Sequence, residues 1–226
     1  QTFKAPPTSK GQTATREKDS DLQADIIDMK TQKSGTFSAI LIAINPWSRK
    51  VALEPLANKT PQAVTVAFRK VLQRMDKPDA ISTDMDSAFK TTFNAFLDEQ
   101  HIVHRYKDPK QLNSMAVLDR AVMSIKKQLF QRMTRNNTKQ WHTLVQKAQD
   151  AYNETVNSAI NGAPNDFEGD SEQAKLLQFQ REQSAARSLQ HNNDMLTSKK
   201  DKLQGTTAFR EMAPREEWSR AYKPKW

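Results

Sequence analysis

Three short segments in the first quarter of the chain are apolar throughout or alternate between apolar and polar residues. They are LQADIIDM (22–29), FSAILIAI (37–44) and KVALEPL (50–56), with the turn-forming sequences KTQKSG and NPWSRK between them. Short runs that are rich in β-branched residues and bounded by turn residues are typical of strands joined as hairpins. We therefore expect a three-stranded antiparallel meander over residues 22–56.

The next segments alternate between helical and strand-like patterns. TPQAVTVAFRKVLQRM (60–75) has apolar residues at helical spacing, Thr60 as a candidate N-cap and Pro61 at the first helical position. The remaining predicted elements are a strand at 79–83, a helix at 87–99, a strand at 101–106, and helices at 114–134 and 138–157. The order β-β-β-α-β-α-β-α-α predicts an α/β fold in which a mixed five-stranded sheet carries helices on both faces.

Composition divides the chain into four predicted parts. Residues 1–20 are polar without periodicity and predict an extended tail, and residues 21–167 carry the elements of the core. Residues 168–204 are rich in Gln, Lys and Glu, which favours one long exposed helical linker. Residues 205–226 mix aromatic and basic residues, as at the start of a small β-barrel-like domain or in an extended tail. Because such ends are seldom ordered alone, we expect protein partners to hold them.

The net charge of the chain indicates which kinds of partner it can bind. Lysine and arginine number 35 against 26 aspartates and glutamates, a formal net charge of +9. This excess favours a polyanion, either nucleic acid or an anionic membrane surface. No run of 18 apolar residues predicts a membrane span. The absence of cysteine excludes disulfides and argues against a zinc finger, and the initial Gln leads us to expect that a targeting peptide or another domain precedes it.

Several segments carry a joint resemblance to a known family. In chain order they are LQADIIDM, ILIAINPWSRKVALEPLANKT, ISTDMDSAF, LDRAVMSIKKQL and WHTLVQKAQDAYNETVNSAINGAPNDF. Their order and spacing resemble the integrase catalytic core of retroviruses, Gypsy-type retrotransposons and Maverick/Polinton DNA transposons. The likeness covers roughly residues 20–167, and FREMAPREEWSRAYKPKW resembles the entry to the family's small β-barrel domain. The resemblance implies an RNase H-like fold.

The resemblance also implies a catalytic triad. It places the first acid at Asp25, the second at Asp84 and the third at Asp119, and the 34 residues between the last two suit the family. In such enzymes three carboxylates hold two divalent metals, Mg²⁺ or Mn²⁺, for in-line phosphoryl displacement. Asp28 lies three residues from Asp25, so in a strand its side chain points to the opposite face and is not expected to be a co-ligand.

The motifs depart from the family at several positions. Asp86 stands where the family has Gly, Ala88 replaces its Glu, and the third carboxylate, Asp119, is one methylene shorter than the usual Glu. A shorter ligand matters because Mg²⁺ requires near-octahedral geometry with oxygens at about 2.0–2.1 Å. On the same helix Val122 and Met123 replace the family's polar and basic residues. For Asp86 we expect a turn or cap role.

Two sets of side chains are candidate contacts to nucleic acid. The predicted helix 114–134 and its end carry a basic face that could follow a phosphate backbone, and the C-terminal segment interleaves aromatic and basic residues that could stack bases. The candidates are Arg120, Lys126, Lys127, Arg132, Arg135, Trp218 and Tyr222. A solvated helix face and the start of a barrel core or protein contact are the alternative interpretations.

Two functions are compatible with these observations. The first is an integrase or transposase, requiring Mg²⁺ or Mn²⁺ and a homo-oligomer, that trims and joins DNA ends. The second is a domesticated integrase fold without activity or metal that binds DNA or RNA as a structural subunit of a large assembly, for example a ribonucleoprotein. A nucleus would suit the first, and a mitochondrion or another organelle would follow if a presequence had been removed.

Overall fold

The computed structural model describes residues 20–107 and 115–203 of the chain. Five strands form one sheet: β1 (Asp21–Asp28), β2 (Ala39–Ile44), β3 (Val51–Leu56), β4 (Ala80–Thr83) and β5 (Val103–Tyr106). Their order across the sheet is β3-β2-β1-β4-β5. β1–β2 and β2–β3 pair antiparallel, whereas β1–β4 and β4–β5 pair parallel. The predicted meander and the mixed five-stranded sheet are confirmed.

Five α-helices accompany the sheet in the described residues. They are α1 (Pro61–Leu72), α2 (Thr92–Glu99), α3 (Ala116–Arg135), α4 (Val145–Glu154) and α5 (Glu172–Leu203). Short 3₁₀ turns occur at Lys30–Gln32, Ser87–Phe89, Trp141–Leu144 and Pro164–Phe167. α1 begins as expected, with the Thr60 hydroxyl accepting a hydrogen bond from the Ala63 amide at 3.3 Å. This cap satisfies one of the amides that the first turn leaves without a partner.

The central strand β2 divides its side chains between two hydrophobic cores. Ala39, Leu41 and Ala43 pack in the core under α1 and α2, together with aromatic residues such as Phe68 and Phe93. Ile40, Ile42 and Ile44 point to the other face and pack under α3 and α4. All six side chains are buried, because this strand is covered on both faces. The alternation follows from the two-residue period of a strand.

The predicted helix at 87–99 is interrupted. Ser87–Phe89 form a 3₁₀ turn, and α2 starts only at Thr92, after Thr91 with a left-handed φ of 45°. The apolar pattern does not reveal this break, because Phe89, Phe93 and Leu97 keep four-residue spacing across it and all three are buried. The strand predicted at 101–106 begins at Val103, since His101 also has a positive φ, of 55°, after the end of α2.

The described chain falls into two compact units, residues 20–182 and 183–203. In the first unit the opening turns of α5 are not fully exposed, because Ala174 and Leu177 pack with Trp47 in a third hydrophobic cluster. The second unit consists of the remainder of α5, where Arg187 donates a hydrogen bond to Gln183 at 3.0 Å. Among the helices of the described residues, none has the length and apolarity to cross a bilayer.

Candidate functional site

The register of the sheet places two of the predicted acids at the same level of neighbouring strands. β1 and β4 pair in parallel up to Gln23 and Ser82, and Asp25 and Asp84 each follow this pair by two residues. Asp25 lies within β1, opposite Ile42 of β2, while Asp84 directly follows the end of β4. Two carboxylates thus meet at the carboxyl end of the parallel pair.

The third acid approaches from the helix that covers this face. Gln23, Asp25 and Ile27 share one face of β1 by alternation, and Ile27 packs in the core under α3 and α4. Asp119 lies in the first turn of α3 and is exposed. Its position suits a carboxylate, because the amide end of a helix carries partial positive charge.

Backbone amides orient the two strand carboxylates. The Ile26 amide donates to Asp25 Oδ1 at 2.6 Å, and the Asp86 amide donates to Asp84 Oδ1 at 3.1 Å. The Asp86 side chain is engaged elsewhere: its Oδ1 accepts from the Ala88 amide at 2.8 Å and caps the 3₁₀ turn. The expected cap role of Asp86 is confirmed.

The three acids act on one another electrostatically. Burial is the main cause that raises the pKa of Asp25, and the carboxylates of Asp84 and Asp119 raise it further, against the lowering effects of the Ile26 amide and of Lys59. Like charges nearby disfavour ionisation, so the shift shows that Asp84 and Asp119 lie within electrostatic range of Asp25. Lys59 offsets part of this repulsion.

Asp28 belongs to a different environment, as its place in the strand predicts. Its carboxylate is exposed and accepts hydrogen bonds from Lys59 Nζ and from the Lys30 amide, both at 2.8 Å. These bonds lower the pKa of Asp28, with Lys59 the main cause. Lys59 is a site residue that the sequence analysis missed, although it stands in the segment PLANKT that carries part of the resemblance.

A divalent cation suits the acidic group in chemistry. All three side chains are carboxylates, the oxygen ligands that Mg²⁺ prefers, and a cation would balance the charge that raises the pKa of Asp25. Within residues 20–107 and 115–203, however, no three acidic, histidine or cysteine side chains are gathered closely enough to hold one ion together. Within these residues Asp25 and Asp84 form a level pair, and Asp119 acts electrostatically on Asp25 from the first turn of α3.

The predicted basic residues of α3 do not form a single stripe. Arg120 and Lys127 are exposed and two turns apart, so they share one row. Lys126 is half-buried on the row of Asp119, and Arg132 is also half-buried. Arg135 is exposed at the end of the helix. The basic face expected from the sequence is thus divided, while Trp218 and Tyr222 lie outside the described residues.

The fold matches solved structures of retroviral integrases. A chain of the simian T-cell lymphotropic virus intasome in complex with PP2A regulatory subunit B56 gamma superposes with a TM-score of 0.60 at 16% identity, covering 66% of this chain and 53% of that one. The HTLV-2 integrase catalytic core domain in complex with magnesium gives 0.57 at 19% identity, covering 67% and 97%. The BIV integrase catalytic core domain gives 0.56 at 15% identity, covering 66% and 93%.

These similarities define the class of the fold. The chain has the fold of a retroviral integrase catalytic core, as the sequence resemblance implied. It matches about half the length of the intasome chain and nearly all of the two isolated core domains. No protein-family model matches the sequence, and no curated protein matches it.

Proposed function

We propose that this chain is an integrase-type nucleic-acid-binding domain whose Asp25, Asp84 and Asp119 serve metal-dependent polynucleotidyl transfer. One observation carries the proposal: Asp25 and Asp84 stand level on adjacent parallel strands, and Asp119 acts on Asp25 from the helix above the same face. The magnesium complex of the HTLV-2 core, which has the same fold, supports the choice of cation.

The proposed reaction is the trimming of a DNA 3′ end and its transfer to a second strand. Bound divalent ions would supply charge neutralisation and an activated water or 3′-hydroxyl in such a reaction. The chain's own contribution is to hold the carboxylates: Asp25 and Asp84 each accept a backbone amide, which restricts their orientation. Arg120 and Lys127, on the outward row of α3, are proposed to contact the phosphate backbone.

A second candidate is an inactive subunit that binds nucleic acid in a larger assembly. Two observations on the described part of the chain favour it: Asp119 is exposed, and no three possible ligands form one metal-binding group there. The presence of Asp86 and Ala88 where the integrase family has Gly and Glu also favours the inactive subunit. Both candidates use the same basic surface, and they differ in whether the acids act on a phosphodiester.

Cleavage of labelled DNA ends in Mn²⁺ separates the two candidates. If the site is active, Asp84→Asn should reduce nicking or joining by more than about 100-fold, since even indirect metal contacts contribute 10–100-fold. Asp86→Asn is the matched control, because the new amide oxygen keeps the cap and the change also removes one negative charge. Its rate should stay within about twofold of the wild type, and both variants should keep the wild-type melting temperature.

Two results would decide against the proposed catalytic role of Asp84. The wild-type chain failing to cleave while it retains salt-dependent DNA or RNA binding supports the inactive subunit. Equal loss of cleavage in Asp84→Asn and Asp86→Asn would show that general charge, and not the position level with Asp25, is responsible. Anomalous density after soaking crystals in Mn²⁺ would test directly whether an ion lies between Asp25 and Asp84.

A further inference from the structure

The turn between β2 and β3 presents an arginine in an unusual backbone conformation. Asn45 Oδ1 accepts hydrogen bonds from the amides of Trp47 at 2.7 Å and Ser48 at 3.2 Å, and the Arg49 amide donates to the Asn45 carbonyl at 2.8 Å. The turn closes with Arg49 at a φ of 65°, a region that few non-glycine residues occupy. Trp47 is fully buried next to it, which anchors the turn.

Two further arginines lie near Arg49. Arg181 of α5 and Arg120 of α3 are both close enough to lower the pKa of Arg49 by charge repulsion. We call Arg49, Arg120 and Arg181 the arginine cluster. Its members come from a turn and two helices that are far apart in the sequence. All three belong to the first compact unit.

The arginine cluster has unused hydrogen-bonding capacity. Arg49 and Arg181 are half-buried, and the Nε atom of each is shielded from solvent and has no hydrogen-bond partner. Among the described residues, the arginine cluster shows one side-chain hydrogen bond, from Arg181 to the Trp47 carbonyl at 2.9 Å, and no ion pair with a carboxylate. Buried donors without partners carry a desolvation cost, so they are rarely left unmatched in a working protein.

Two acids of the segment before α5 are engaged with other partners. Glu168 pairs with Lys50 Nζ at 2.5 Å, and Asp166 Oδ2 accepts from the Ala163 amide at 2.8 Å. Burial, then repulsion from Arg181, lowers the pKa of Arg49 to about 10, and Arg120 adds a smaller effect in the same direction. Arg49 therefore stays protonated at neutral pH, beside two other guanidinium groups.

We infer that the arginine cluster is a binding site for a phosphate group of a nucleic-acid strand. Guanidinium groups match phosphate because their planar N–H pairs bind two oxygens at once, and such charged hydrogen bonds are about twice as strong as neutral ones. Arg49 and Arg181, whose Nε atoms lack partners, can each serve oxygens of one phosphate group, and the charge of Arg120 adds to the attraction. Binding would supply partners for the Arg49 and Arg181 Nε atoms and relieve the repulsion among the three charges.

The position of the arginine cluster indicates the source of the phosphate. Arg120 directly follows Asp119 in α3, so one member of the arginine cluster is next in sequence to a proposed catalytic acid. On the proposed function, a strand whose phosphate reaches Asp119 would pass close to Arg120. This source rests on the proposed function, whereas the affinity of the arginine cluster for phosphate does not. The arginine cluster would thus fix which phosphodiester of a strand reaches the acids.

The ¹H–¹⁵N signals of the arginine Nε–H groups provide the test, because the Arg49 and Arg181 groups have no competing partner. The full chain is titrated, without metal, with inorganic phosphate and separately with a short single-stranded DNA oligonucleotide, at constant ionic strength maintained with chloride. Both titrations should shift the Arg49 and Arg181 signals. Arg120→Gln should weaken phosphate binding about tenfold, the loss expected for a charged hydrogen bond.

Lys77→Gln is the matched control, since it also removes one exposed positive charge, from the segment before β4. It should leave phosphate affinity unchanged. Arg49→Gln should abolish the shift of the Arg181 signal. If Arg49→Gln does not fold, Arg120→Gln still tests the inference, because Arg120 is exposed. Shifts with DNA alone still support the inference, because a strand then supplies the phosphate.

Three outcomes overturn the inference. No shift with either probe shows that the arginine cluster binds no phosphate. Equal weakening in Arg120→Gln and Lys77→Gln shows general charge attraction without a site. Shifts with inorganic phosphate but not with DNA show a site for a small free oxyanion and overturn the nucleic-acid source. If the wild type fails to cleave DNA with metal, the interpretation of these three outcomes does not change, because the titration needs neither metal nor a reaction.

Discussion

The acidic group and the arginine cluster each collect three like charges, of opposite sign, at neighbouring places of the fold. α3 contributes to both, with Asp119 to the first and Arg120 to the second. The strand acids accept backbone amides, whereas two of the arginines keep shielded Nε atoms without partners. In both places burial and like-charge repulsion shift a pKa against the charged form, raising that of Asp25 and lowering that of Arg49.

The difference in sign teaches what each place is suited to bind. Gathering like charges in a partly buried site costs free energy unless a ligand of opposite charge balances them. A divalent cation would balance the acids, and a phosphate group would balance the arginines. On the proposed function, a nucleic-acid strand with its metal ions would supply both.

The largest expected effect concerns the residue that anchors the arginine cluster. Trp47 is fully buried, its Nε1 donates to Gln178 at 2.9 Å and its carbonyl accepts from Arg181. Trp47→Ala should lower the free energy of unfolding by about 3–5 kcal/mol, the range for emptying a large aromatic site. Chemical denaturation measures this change.

The matched control for that prediction is Trp47→Phe. It keeps a ring against Phe167 and loses the Gln178 bond, so it should cost about 1 kcal/mol beyond the smaller ring's lost contacts. A Trp47→Ala protein with wild-type stability would contradict the view that the third hydrophobic cluster holds the turn and α5 together.

A smaller effect on the free energy of unfolding should distinguish Asp25 from Asp28, two aspartates of β1. Because burial and the neighbouring carboxylates raise the pKa of Asp25, the folded chain binds its proton more strongly than the unfolded chain does. This contribution to stability is complete below the ordinary aspartate pKa and is lost as the pH rises through the raised value. Asp25→Asn should therefore increase the free energy of unfolding at pH 7 and flatten its decline across that interval.

Asp28→Asn should instead decrease the free energy of unfolding at pH 7. The hydrogen bonds from Lys59 and Lys30 lower the pKa of Asp28, so its contribution is present above the ordinary pKa and is lost as the pH falls through the lowered value. The pair is exposed, so the loss at pH 7 should be less than about 1 kcal/mol. Denaturation curves measured between about pH 3 and pH 8, an interval that includes the ordinary aspartate pKa, test this contrast. The contrast is refuted if both variants shift the free energy of unfolding in the same direction.

The smallest expected effect is the dependence of nucleic-acid affinity on salt. If Arg120 contacts a phosphate, Arg120→Gln should reduce the slope of log affinity against log salt by about one phosphate contact. Lys77→Gln, a change at an exposed lysine in the turn before β4, should leave that slope unchanged. Filter binding or fluorescence anisotropy across a salt series provides the measurement. An equal change in both slopes would show that Arg120 contributes general positive charge and not a specific phosphate contact.

The sequence on its own determined the layers of the fold and much of the acidic site. The apolar alternation in β2 assigns each side chain to a face, because neighbouring residues of a strand point in opposite directions. The same rule separated Asp28 from Asp25. The resemblance named Asp25 and Asp84, and the register of β1 and β4 places them level.

Only the tertiary structure decided how charges from distant segments meet. Arg49, Arg120 and Arg181 lie in three separate elements that no local period relates. Their proximity depends on how α3 packs against the sheet and how the first turns of α5 pack on Trp47. The electrostatic effect of Asp119 on Asp25 depends on the packing of α3 in the same way. Local patterns specify the direction of a side chain, whereas electrostatic neighbours depend on packing between elements, which no single segment encodes.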